Sequence, residues 1–114
     1  MISNITKLNK KELLKYENIT KDFDELTFER DSSKKLKIRY NNPDDEDKYF
    51  IIESLDDIIF VRNKEMKIEE KSSEYIRLTF NIPKTLGIYT SNVIVKNKIT
   101  GEIEEILRCH MQVI

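Results

Sequence analysis

Residues 75–95, YIRLTFNIPKTLGIYTSNVIV, decide how the rest of the chain is read. Ile76, Leu78, Phe80 and Ile82 alternate with Arg77, Thr79 and Asn81, which is the period of a strand with one buried face. Pro83 has no N–H to give a β-ladder, so pairing is expected to stop there. Gly87 then allows a backbone conformation that a Cβ resists. Beyond it, Tyr89, Val93 and Val95 share one face, and Thr90 and Asn92 share the other. A strand, a Pro/Gly corner and a second strand opening on Gly-x-Tyr predict a chain crossing from one sheet of a sandwich to the other. Tyr89 fits the corner itself: a tyrosine near the start of a penultimate strand commonly hydrogen-bonds back to nearby backbone. Pro83, Gly87 and Tyr89 are therefore read as a structural corner.

Outward from this pair, strands recur at short intervals. Phe23–Phe28 resumes a loose alternation, with Leu26 and Phe28 on one face. Leu36, Ile38 and Tyr40 alternate cleanly with Lys35, Lys37 and Arg39. Asn41-Asn42-Pro43-Asp44-Asp45 ends that strand in turn chemistry. Short apolar runs follow at Tyr49–Ile52 and Ile58–Val61, and Glu65–Glu70 reads as a charged edge strand that resists pairing with other chains. Asn97-Lys-Ile-Thr-Gly101 is a hairpin loop with glycine at a left-handed position. In the last strand Ile103, Leu107, Cys109, Met111 and Val113 point inward, with Glu105 breaking the set.

Seven or eight strands with no internal helix predict an all-β fold, an immunoglobulin-like antiparallel β-sandwich. A Greek-key barrel is the alternative. Residues 1–17 stand apart as a leader, read either as a short helix from about Lys7 to Tyr16 or as a frayed end. Residues 18–114 form the sandwich.

Composition narrows the function classes. The 114 residues are enough for one domain burying about 65% of its unfolded surface. Lys and Arg number 20 against 21 Asp and Glu, and a net charge of -1 argues against a dedicated nucleic-acid binder. Cys109 is the only cysteine, so no internal disulfide can form, which points to a reducing, intracellular and cytoplasmic setting. The N-terminal stretch has no continuous apolar run, and no stretch has the length of a membrane span.

The chain offers little for catalysis. His110 is the sole histidine and follows Cys109 directly; neighbours in a strand point to opposite faces, so the two cannot converge on one reacting atom. Two candidate ligands are too few for zinc. The acidic runs Asp44–Asp47 and Asp56-Asp57 lack the spacing and glycine of a calcium loop and read as solvated turns. Gly87 and Gly101 are the only glycines, which excludes a glycine-rich phosphate loop. No cofactor, no metal and no enzyme activity are expected.

The order of Lys37-Ile-Arg-Tyr-Asn-Asn-Pro43, Tyr49–Ser54, Phe60, Tyr75–Pro83, Leu86–Tyr89, Val93–Val95 and Glu105–Cys109 resembles the immunoglobulin-like major-sperm-protein/ASH superfamily. Within it the chain looks most like the domains of the nephrocystin-4 family of ciliary transition-zone scaffolds. The similarity covers about residues 23–114. It implies a non-catalytic protein–protein interaction module of a ciliary, centriolar or cytoskeletal scaffold. Partners would be held through a sheet edge or through the basic strand face of Lys35, Lys37 and Arg39, since one branch of the superfamily captures acidic aromatic motifs on a basic face. The alternative is a small phage or bacterial accessory protein that inhibits a host enzyme by binding, which suits the small size, the start at Met1 and the Ile, Lys and Asn bias.

Overall fold

The computed structural model describes residues 9–114, apart from the side chains of Lys10 and Glu25. Lys7 and Leu8 of the expected leader helix lie outside the described residues. A single α-turn, α1 (Lys10–Leu13), is capped by Asn9, whose Oδ1 accepts from the Glu12 N–H at 2.9 Å. A 3-10 turn (Leu14–Ile19) continues from it. The sequence boundary at residues 17 and 18 thus falls inside a helical turn that leads straight into the first strand.

Eight strands follow: β1 (Thr20–Phe28), β2 (Ser33–Asn42), β3 (Lys48–Ser54), β4 (Ile59–Val61), β5 (Glu65–Ile68), β6 (Ser72–Asn81), β7 (Gly87–Asn97) and β8 (Ile103–Val113). They form a sandwich of a five-stranded sheet, β1-β8-β7-β3-β5, and a three-stranded sheet, β2-β6-β4. β6 lies in the smaller sheet and β7 in the larger, so the Pro83–Leu86 corner crosses between them as expected. Ile76, Leu78, Phe80, Ile82, Val93 and Val95 are all buried between the two sheets.

Every strand pair is antiparallel except β1 with β8, which is parallel. A parallel neighbour is not hairpin-connected, and here the whole chain separates the two strands. The β1 register also shifts between Phe23 and Leu26, which pair with Cys109 and Met111. The extra residue reverses the side-chain parity, so odd-numbered Phe23 and even-numbered Leu26 both lean on the core. A second shift lies between Val95 and Lys96, opposite Glu105 and Ile103. The extra residue is Glu104; Glu105 stays opposite the inward Val95 and is half-buried, and burial raises its carboxyl above the usual range.

Among the described residues, two aromatic contacts bridge the sheets. Phe28 on β1 meets Phe80 on β6 with centroids 5.4 Å apart, and Tyr40 on β2 meets Phe50 on β3 edge-on at 5.4 Å. Such pairs contribute about 0.5–1.5 kcal/mol beyond their buried area. On the outer side of the large sheet, Ile94 and Ile106 face each other across β7 and β8 and are buried as well. The 3-10 turn packs against β8 on that side.

One side of the sandwich is closed by the chain itself. The Arg62 N–H bonds to the Arg77 carbonyl in the small sheet, and two residues on the Lys64 carbonyl accepts from Ile52 in the large one, both at 2.8 Å. The other side is bounded by β1 and β2, edge strands of different sheets.

Candidate protein-binding surface

The alternation of β2 and β6 that buries Ile76, Leu78 and Phe80 turns the intervening residues to solvent. Lys35 lies opposite Thr79, Lys37 opposite Arg77 and Arg39 opposite Tyr75. On the far side of β6, Phe60 lies opposite Thr79 and Arg62 follows it outward. The ammonium of Lys37 stands 4.4 Å from the Tyr75 ring centre, and Lys64 reaches back to 5.5 Å from that of Phe60. Cation–π contacts of this kind steady both partners while leaving the charge at the surface.

The outer face of the three-stranded sheet therefore carries Lys35, Lys37, Arg39, Arg62, Lys64 and Arg77 around two exposed aromatic rings. None of its outward strand positions is a carboxylate: the remainder are Ser33, Asn41, Ser73, Thr79 and Asn81. Among the described residues, none of the six cations has an ion pair. Like charges directly opposite on neighbouring strands weaken a sheet, and Lys37 against Arg77 is such a pair. Sequence reading found the β2 part of this face. It missed Arg77, Arg62, Tyr75 and Phe60, because their neighbourhood is set by strand register, which no single stretch records.

The acidic groups sit elsewhere and are engaged. Asp44 pairs with Lys48, Asp45 with Lys71 at 3.2 Å and Asp47 with Lys67 at 3.6 Å. The Lys48 hydrogen bond holds the Asp44 carboxyl below its usual range. Asp56 accepts from the Ile58 N–H at 2.9 Å and from the Ser91 hydroxyl at 2.8 Å, fixing the turn after β3. Both acidic runs are thus built into turns. Among the described residues, no three His, Cys, Asp or Glu side chains are grouped to hold a metal ion.

Cys109 and His110 lie on opposite faces of β8. The thiol is buried, which pushes its pKa up to about 11. His110 lies outside, 2.7 Å from Asp22 Oδ1 and 3.3 Å from the Thr90 hydroxyl. Arg108 beside it grips two carboxylates: Nε and Nη2 reach Asp22 at 2.6 and 3.1 Å, and Nη1 and Nη2 reach Glu17 at 3.0 and 2.7 Å. Those bonds, then that of His110, hold the Asp22 carboxyl down at about 2. The cluster fastens β1 and the 3-10 turn to β8. At the corner, Gly87 has φ +152°, the Tyr89 hydroxyl donates to the Thr85 carbonyl at 2.8 Å, and the Pro83 carbonyl accepts from Asp31 at 3.0 Å.

The fold defined here is that of the major-sperm-protein and ASH/PapD-like domains. The ASH/PapD-like domain 7 of human CEP192 is similar over 84% of this chain and 81% of its own, with a TM-score of 0.58 and 15% identity. SSP-19, an MSP-domain protein of Caenorhabditis elegans, and WR4, an MSP family member of the same organism, each align over 77% of this chain and 92% of theirs. Their TM-scores are 0.53, with identities of 10% and 9%. No family model and no curated protein sequence matches the chain. No described helix is long and apolar enough to cross a membrane.

Proposed function

We propose that the chain is a non-catalytic protein-interaction module, carried by residues 18–114, that docks an acidic partner on the outer face of its three-stranded sheet. The observation that supports this most is the like-charged cross-strand pair of Lys37 and Arg77, set among six cations that have no ion pair among the described residues. A strand pair kept under like-charge strain gains nothing for folding, but it presents a potential that steers and orients an acidic surface. The exposed Tyr75 and Phe60 rings add the apolar, aromatic contact that interface centres favour. The resemblance to nephrocystin-4 domains, together with the MSP and ASH/PapD-like fold, supports assembly within a ciliary, centriolar or cytoskeletal scaffold. That part rests on analogy between folds.

The test compares the chain with a variant reversed at Lys35, Lys37 and Arg77 to Glu. Both are tagged, used as bait in a lysate of ciliated cells and localised in those cells. The expected result is a set of acidic scaffold proteins retained by the first and lost by the second, with enrichment at basal bodies or centrioles. Equal retention by both overturns the basic face. Diffuse distribution overturns the scaffold setting, as does capture of a single enzyme whose activity is blocked.

A further inference from the structure

We infer that the partner is held as an added strand on the free edge of β2, seated over an apolar cleft between β1 and β2, and that its sequence alternates apolar with acidic residues. The inference rests on the proposed docking of an acidic partner and says what form that partner takes.

The side of the sandwich opposite the Arg62–Lys64 crossover is open. β1 and β2 follow one another in the chain, yet they border different sheets and do not pair with each other. Between them lies a cleft of about 420 Å³. Its walls include Phe23 and Leu26 from β1 and Leu36 and Ile38 from β2, and its floor includes the core residues Phe80 and Cys109. Leu36, in mid-strand, is 38% exposed. An apolar seam of this kind beside an unpaired ladder edge is what strand addition uses elsewhere.

The two edges are not equivalent. β1 is broken by its bulge between Phe23 and Leu26. β2 keeps an uninterrupted register with β6 from Ser33 to Asn42, so its other edge offers a regular row of backbone groups. The sheet pleat then sets the partner's sequence. Alternate side chains of an added strand continue the row of Leu36 and Ile38 and cover the cleft. The intervening ones lie beside Lys35, Lys37 and Arg39 on the outer face, where carboxylates are favoured. A second copy of this chain does not fit, because its own β2 would set Lys35, Lys37 and Arg39 against the same cations. The stretch Lys34–Tyr40 accommodates a segment of seven residues, about 23 Å long at ~3.3 Å per residue.

The experiment uses blocked seven-residue peptides on the whole chain, read by fluorescence anisotropy and by backbone amide shifts. The first has the order Glu-Ile-Glu-Val-Glu-Ile-Glu; a second of the same composition groups its apolar residues together. Two further versions of the first carry N-methyl groups on odd or on even amides. In an added strand only one of those sets faces β2. One methylation pattern should therefore lower affinity about tenfold or more while the other changes it by less than about threefold. The grouped peptide should bind at least about tenfold more weakly, and shifts should centre on residues 34–40. Because the methyl groups are on the peptide, folding of the chain is untouched. Equal effects of both methylation patterns, or equal binding of alternating and grouped peptides, overturn the added strand. If that binding is nonetheless lost on Arg77→Glu, the basic face survives. Binding of neither peptide also overturns the strand, and the face is then judged by partner retention alone.

Discussion

The side-chain amide of Asn42, on β2 of the small sheet, donates to the carbonyl of Ile68, on β5 of the large sheet, at 3.1 Å. The same nitrogen lies 2.8 Å from the Glu46 carbonyl and 3.2 Å from that of Glu69. Asn42 is 1% exposed, and its bond to Ile68 forms away from water, while those to Glu46 and Glu69 are part-buried. One buried amide thus ties the two sheets together and closes the turn between β2 and β3. Asn42→Ala takes this donor from the buried Ile68 carbonyl and should lower the unfolding free energy by about 1–3 kcal/mol. Urea denaturation followed by circular dichroism reads this directly. A change below ~0.5 kcal/mol would mean that water replaces the amide and that the tie contributes little.

The clamp of Arg108 on Asp22 and Glu17 makes attachment of the first strand depend on acid. Hydrogen bonds from Arg108 and then from His110 hold the Asp22 carboxyl at about 2, below its ordinary 3.8. A carboxylate whose folded value lies below its unfolded one stabilises the fold above the unfolded value, and that contribution is lost as pH falls through the folded value. Loosening of β1 and the 3-10 turn is therefore expected as pH falls from about 4 to about 2. Hydrogen exchange of amides in residues 14–24 should quicken in that window, before those of β6 and β7. Asp22→Asn should move the loosening to neutral pH. Uniform exchange across all strands would show that the clamp and the core open together.

The corner between the sheets separates two effects that a single sequence pattern joins. At φ +152° any side chain at position 87 is strained, although a Cβ there would meet only Tyr89, at an ordinary 3.7 Å. Gly87→Ala should cost roughly 1–3 kcal/mol through backbone strain alone. Tyr89→Phe removes the bond to Thr85 at an exposed site and should cost about 0.5–1 kcal/mol. Melting curves of the two variants give the order. If Tyr89→Phe is the more damaging, the hydroxyl rather than the glycine fixes the crossing.

Local alternation made the sandwich legible, since Ile76 to Ile82 and Val93 to Val95 bury the faces that their spacing assigns. Where the outcome depended on register, the sequence was silent. The bulge in β1 brings Phe23 and Leu26 to the same side, and the parallel pairing of β1 with β8 joins the two ends of the chain; neither leaves a local mark. Ile94 and Ile106 look misplaced by parity until the outer side of the large sheet is seen to carry the 3-10 turn. Asn42 read as turn chemistry because asparagine before proline is common in turns, and its burial depends on a strand far along the chain. For the proposed binding surface, Lys35, Lys37 and Arg39 were visible as a stripe, whereas the field they form with Arg62 and Arg77 exists only once β2, β6 and β4 are side by side.

The field itself predicts a trade between stability and binding. Lys37 and Arg77 are directly opposite on β2 and β6, so Arg77→Glu converts a repelling cross-strand pair into an attracting one. Both positions are exposed, which keeps the gain small, about 0.2–1 kcal/mol, and reduces it further in salt. Urea midpoints at low and high ionic strength should show the variant more stable in the first and level with the parent in the second. The same variant should hold an acidic partner less well, because the cation lost lies at the centre of the face. Lys15→Glu, an exposed charge change on the leader, should leave both quantities unmoved. A variant that gains stability and keeps its partner would show the like-charge pair to be incidental, whereas a gain coupled to lost capture marks it as a strain kept for binding.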